Sequence, residues 1–111
     1  MTDMTDMTEG WMFSDQEAID WQPLGEGVAM KTLGAANGRV MAVFKFDAGY
    51  AGGSHNHTDA EFGYVLEGEI ISNGVTMAAG HAYAAQMGTT HEEFRTDVGA
   101  TLVSVFPQPG G

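Results

Sequence analysis

Residues 49–68 read GYAGGSHNHTDAEFGYVLEG, with His55, His57 and Glu61 between glycines at 49 and 68. In an extended segment, residues two apart point to the same side. His55 and His57 therefore place two imidazoles on one face. Glu61 has the same parity and joins them if the chain re-enters a strand there. Two imidazoles and a carboxylate make a typical site for a divalent first-row metal. The third imidazole nominated is His91, in a later β segment after the turn residues Gly88, Thr89 and Thr90. Gly63 shares the face of Glu61, which leaves room beside the metal.

Working outward, the chain reads as short strands separated by turn residues. Residues 39–46 (RVMAVFKF) alternate β-branched and aromatic side chains with others, a strand pattern. Residues 28–33, 62–66, 69–72, 75–78, 81–84, 90–95 and 100–106 are further strands, with Gly68 breaking the run from 62 to 72 and Pro107 and Pro109 ending the set. Asn73-Gly74 is the strongest short-range hairpin signal in the chain. No helical period is sustained. Many short strands with glycine-rich turns imply an all-β sandwich or barrel, and closure into a barrel removes sticky edges. Met41, Val43, Phe44, Phe46, Val65, Met77, Tyr83, Met87, Phe94, Val103 and Val105 are candidates for the barrel wall. Met87 and Phe94 lie near His91 in sequence and are expected to border its pocket.

Residues 49–68 match the first cupin motif, G(x)5HxH(x)3,4E(x)6G, at each defined position: Gly49, His55, His57, Glu61 and Gly68. At ordinary residue frequencies the five positions coincide by chance at about 10⁻⁷ per start site. The second motif, G(x)5PxG(x)2H(x)3N, is met by Gly80, Gly88 and His91, with Gln86 in place of proline and Arg95 in place of asparagine. The chain thus resembles the cupin superfamily over residues 21–106, with a finer likeness to the anti-sigma-factor-type and small dioxygenase-like subgroups. The resemblance implies a double-stranded β-helix (jelly-roll) barrel. It also implies one divalent transition metal per chain, held by His55, His57, Glu61 and His91. Fe(II) or Mn(II) is favoured, and Zn(II), Ni(II) and Cu(II) suit the same donors. Four protein ligands leave a position open for a small molecule, water or dioxygen.

Composition bounds the rest. With 111 residues, one domain is the default. Residues 21–111 form the barrel, and residues 1–20 an acidic N-terminal extension, partly disordered because the triplets MTD, MTD, MTE carry little apolar surface. That extension holds six of the 15 acids and no base, so the barrel carries nine acids and four bases, a net of −5 out of −11. Ser14 and Glu17 have capping-box spacing, so a single helical turn is expected from Ser14. The absence of cysteine excludes disulfides, zinc-thiolate sites, iron–sulfur clusters and a cysteine nucleophile. Lys31, Arg39, Lys45 and Arg95 are too few to grip a phosphate backbone, so neither nucleic acid nor an anionic membrane is an expected partner. No apolar run reaches the roughly 20 residues of a membrane span. The first residues lack a basic start and apolar core, so the cytoplasm is the expected compartment. A chain this small buries a modest core, which a homodimer would enlarge.

The leading functional expectation is a metal-dependent dioxygenase-like oxidoreductase acting on a small ketone, diketone or phenolic substrate, a class named by family analogy. The competing expectations are a non-catalytic metal- or ligand-sensing regulatory cupin and a metal-dependent isomerase or lyase. Tyr50, Tyr64 and Tyr83 are the available proton donors outside the ligand set.

Overall fold

The computed structural model describes residues 7–57 and 59–108, with Met7, Thr8 and His55 described by backbone alone. Among these residues the chain forms thirteen strands and one 3-10 turn. The strands are β1 (Met7–Thr8), β2 (Trp11–Met12), β3 (Gln22–Gly25), β4 (Val28–Ala36), β5 (Arg39–Phe46), β6 (Ala51–Gly52) and β7 (His55–Asn56). They continue with β8 (Glu61–Ser72), β9 (Val75–Ala78), β10 (Ala82–Ala85), β11 (Thr90–His91), β12 (Phe94–Arg95) and β13 (Ala100–Pro107). The main sheet runs β3-β4-β5-β13-β8-β12-β6, with β9 and β10 also paired to β8, while β11 pairs with β7. Every pairing is antiparallel. The sheet curls round one core, the all-β jelly-roll barrel the sequence called for.

Two hairpins show how local chemistry sets register. Ser72 faces Val75 and Ala36 faces Arg39, leaving Asn73-Gly74 and Asn37-Gly38 as two-residue loops. All four residues have positive φ, which a tight twisted hairpin requires and Asn and Gly tolerate. Strand β8 departs from the sequence reading. Gly68 does not break it: the strand continues for 12 residues and bends there, at φ +75°. A Cβ at Gly68 would collide with the carbonyl of Gly99. The bend lets β8 leave β10 and β13 and pair with β9 and β12.

The core consists of Phe46, Val65, Ile70, Met77, Ala100 and Leu102, with Val65 and Ile70 fully buried. Phe44, Tyr50, Tyr83 and Phe94 pack against it. Of the wall candidates, Met41 and Met87 are exposed. Met41, Val103 and Val105 lie instead with Phe62 and Tyr64 on an outer apolar face.

Part of the N-terminal extension is ordered against the barrel. Ser14 does not start the helical turn. Its hydroxyl donates to the carbonyl of Leu33 on β4 (2.7 Å), and Asp15 caps the turn Gln16–Ala18 by accepting from the Glu17 N–H (3.0 Å). Buried Lys31 donates to the Gln16 carbonyl (2.9 Å) and lies 4.6 Å over the Trp21 ring. Strands β1 and β2 form a hairpin, so the last of the triplets, expected to be disordered, has Met7 and Thr8 paired with Met12 and Trp11. The first six residues, and with them most of the triplet repeat, lie outside the described residues, as does Pro109.

Candidate metal centre

Three strands bring the candidate side chains together. His57 follows β7, Glu61 opens β8 and His91 ends β11. The loop before His91 is tied to His57 by two backbone bonds: the His57 N–H donates to the Thr89 carbonyl and the Gly88 N–H to the His57 carbonyl, both 2.8 Å. His57 Nε2 lies 3.4 Å from Glu61 Oε1, and His91 Nε2 lies 3.7 Å from Glu61 Oε2. The two imidazoles meet edge to face at 4.6 Å. One ligand atom from each of the three residues lies within 4.8 Å of the others, so His57, Glu61 and His91 could hold a metal ion. Two neutral imidazoles and one carboxylate suit a divalent first-row cation.

The backbone of His55 stands opposite His91 in the β7–β11 ladder; its side chain lies outside the described part of the structure. His81, which has no motif position, accepts the Ala78 N–H through Nδ1 at the turn before β10. Neither departure from the second motif falls among the three candidate ligands. Gln86 uses its backbone carbonyl to receive the Thr89 hydroxyl (2.6 Å), and Arg95 is a half-buried partner of Glu93 and Asp97.

Sequence reasoning missed the residues behind the candidate ligands. His57 Nδ1 is 2.9 Å from the Thr89 hydroxyl, and His91 Nδ1 is 2.8 Å from the Ser72 hydroxyl. The Thr89 proton is committed to the Gln86 carbonyl, so Thr89 accepts from His57 Nδ1–H. In the neutral ring that network assigns the lone pair to Nε2, the nitrogen turned toward Glu61. These partners are 19 and 32 positions from their histidines, and no local spacing reports them.

Burial works against ionisation of Glu61, but the neighbouring His91 side chain, the hydrogen bond from Tyr83 and the nearby His57 outweigh it and hold the carboxyl below its ordinary value. Glu61 is therefore an anion near neutral pH, the form a cation needs. Burial, together with the charge of Glu61, pushes the Tyr83 phenol well above its ordinary range, so it stays a hydrogen-bond donor. The room expected beside Gly63 is filled by the Tyr83 ring.

A cavity of about 380 Å³ adjoins the centre. Glu61, Tyr83 and His91 stand at its polar end, and Phe44, Phe46, Tyr50, Phe94 and Phe106 supply aromatic walls. Among its described lining residues there is no lysine or arginine. Phe94 borders the site as expected; Met87 does not, being 69% exposed. No described helix is long and apolar enough to cross a membrane.

The sequence profile of the family described as "ChrR Cupin-like domain" matches residues 10–109. No curated protein matches the chain. Among solved structures, an RmlC-like cupin from Shewanella frigidimarina is similar at TM-score 0.78 and 24% identity, over 96% of each chain. An acetylacetone dioxygenase from Acinetobacter johnsonii is similar at TM-score 0.76 and 17% identity, over 96% of this chain and 79% of that one. The complex of Rhodobacter sphaeroides SigE with the anti-sigma ChrR contains a chain similar at TM-score 0.72 and 20% identity. That match covers 84% of this chain and 51% of the other. At these identities the structural likenesses establish the fold.

Proposed function

The chain belongs to the ChrR cupin-like domain family of cupins, and from that premise we propose that it is a metal-dependent enzyme of dioxygenase type acting on a small ketone, diketone or phenolic compound. The observation that carries the reading is the convergence of His57, Glu61 and His91 at the polar end of an aromatic-walled cavity. We further propose His55 as the fourth ligand. Its backbone register opposite His91 and its motif position support that role.

A divalent metal bound there would supply Lewis acidity and, if redox-active, electron transfer to dioxygen. The protein's own residues do the rest. Thr89 and Ser72 fix the imidazole orientations. Glu61 supplies the negative charge that offsets the cation. The aromatic walls exclude water and accept a flat or small apolar body, while oxygen atoms of the substrate face the polar end. A described lining without lysine or arginine favours a neutral substrate. The similarity to an acetylacetone dioxygenase supports this substrate class.

The test is oxygen uptake by the Fe(II)-loaded protein with a panel of small diketones, ketones and phenols. Uptake dependent on one class supports the proposal; no uptake with any of them removes it. The ChrR likeness favours a second reading, a regulatory metal sensor, in which chemistry is absent and a transcription regulator binds instead. Pull-down of such a regulator by an inert protein would select that reading. Homodimerisation, expected from the small core, is proposed on the same footing and is checked by sedimentation.

A further inference from the structure

We propose that Tyr83 is a positioning residue of the metal centre. Its hydroxyl holds one oxygen of Glu61 so that the other faces His57, and Gly63 leaves the slot its ring occupies. The inference rests on the metal reading above and goes beyond the ligand set.

Cross-strand register makes the arrangement. Tyr83 on β10 faces Gly63 on β8, and Gly63 faces Ser104 on β13. These three residues form one inward row, one step along β8 from Glu61. A Cβ at position 63 would collide with a carbon of the Tyr83 ring and lie 2.8 Å from its hydroxyl oxygen. Glycine at 63 is thus the condition for the tyrosine to lie across β8. Lying there, Tyr83 donates from its hydroxyl to Glu61 Oε2 at 2.5 Å. Ser104 flanks the same hydroxyl, and the ring meets His91 edge-on at 5.7 Å.

The consequence is orientation. A glutamate side chain has three rotatable bonds, and a carboxylate accepts hydrogen bonds without donating any. One short bond from a phenol wedged between two strands removes most of that freedom. With Oε2 held by Tyr83, Oε1 is the oxygen turned to His57 Nε2, 3.4 Å away. The same bond makes Tyr83 a poor candidate for the proton donor to substrate, because its proton is already engaged. Hydrogen-bond partners of metal ligands typically contribute about 10–100-fold to affinity.

Co(II) titration of the metal-free full chain, read by visible absorption, tests the proposal alongside thermal unfolding of the same metal-free samples. Tyr83→Phe keeps the ring over Gly63 and removes only the hydroxyl. It is expected to bind Co(II) about 10-fold more weakly, with altered absorption bands and an unchanged metal-free melting temperature. Gly63→Ala is expected to push the ring aside and reproduce the loss, and the double variant to be no worse than the weaker single one. Wild-type affinity and spectrum in Tyr83→Phe overturn the inference alone. So does a melting temperature that falls in step with affinity, which would make the hydroxyl merely structural. Absence of Co(II) binding in the wild-type chain overturns the metal reading, and this inference with it. Should Gly63→Ala fail to fold, Tyr83→Phe alone decides.

Discussion

Strands β5 and β8 both line the barrel, yet they use alternation in opposite ways. On β5 the apolar residues Val40, Ala42, Phe44 and Phe46 point inward, while on the other side Arg39, Met41 and Lys45 are exposed and Val43 alone is buried. On the first half of β8 the inward positions are Glu61, Gly63 and Val65, whereas Phe62, Tyr64 and Leu66 are 49%, 46% and 45% exposed. A strand that only served the core would turn those large side chains in. Strand β8 gives up two inward positions to a carboxylate and to the slot for Tyr83. The local break in patterning marks the site, as expected where function overrides packing.

Substitutions on β8 and at the loop that supports its site test this contrast. The largest effect is expected at its bend: Gly68→Ala combines positive φ with a backbone collision and should cost more than about 2 kcal/mol in chemical denaturation. Next comes the one inward residue of the first half that serves packing alone. Val65→Ala removes fully buried methyl groups and should cost about 2 kcal/mol. A smaller effect belongs to the support of the site. Thr89→Val keeps the side-chain shape but removes the acceptor for His57 Nδ1–H, so metal affinity should fall about 10-fold and Thr89→Ser should restore it. The smallest is expected on the outer face, where Tyr64→Ser should change monomer stability by less than about 0.5 kcal/mol. If Tyr64→Ser proved as costly as Val65→Ala, the outer face of β8 would be a packed surface and the contrast would fail.

The sequence made the heart of the site legible because its signal is local. His57 and Glu61 lie four residues apart on a segment with motif glycines, and His91 sits in a second motif. The limits of β5 and β9 and the hairpin at Asn73-Gly74 were equally readable, since alternation and turn chemistry are short-range. What could not be read depends on register between distant strands. Ser72, Thr89 and Tyr83 reach the candidate ligands because strand pairing, including β10 with β8 and β11 with β7, brings together residues 19 to 32 positions apart. Gly63 looked like open space because its filler comes from another strand. Gly68 looked like a break because a bend and a break share one residue type. Met87 lay near His91 in sequence, but the turn carries it into solvent.

The central claim is that His57 belongs to a metal centre. Elemental analysis of the purified wild-type chain and of His57→Ala, with circular dichroism to confirm folding, addresses it most directly. The expected result is about one transition metal per chain in the wild type and loss of most of it in a folded His57→Ala. Unchanged metal content in the folded variant, or a wild-type chain that takes up no metal when offered it, would contradict the account.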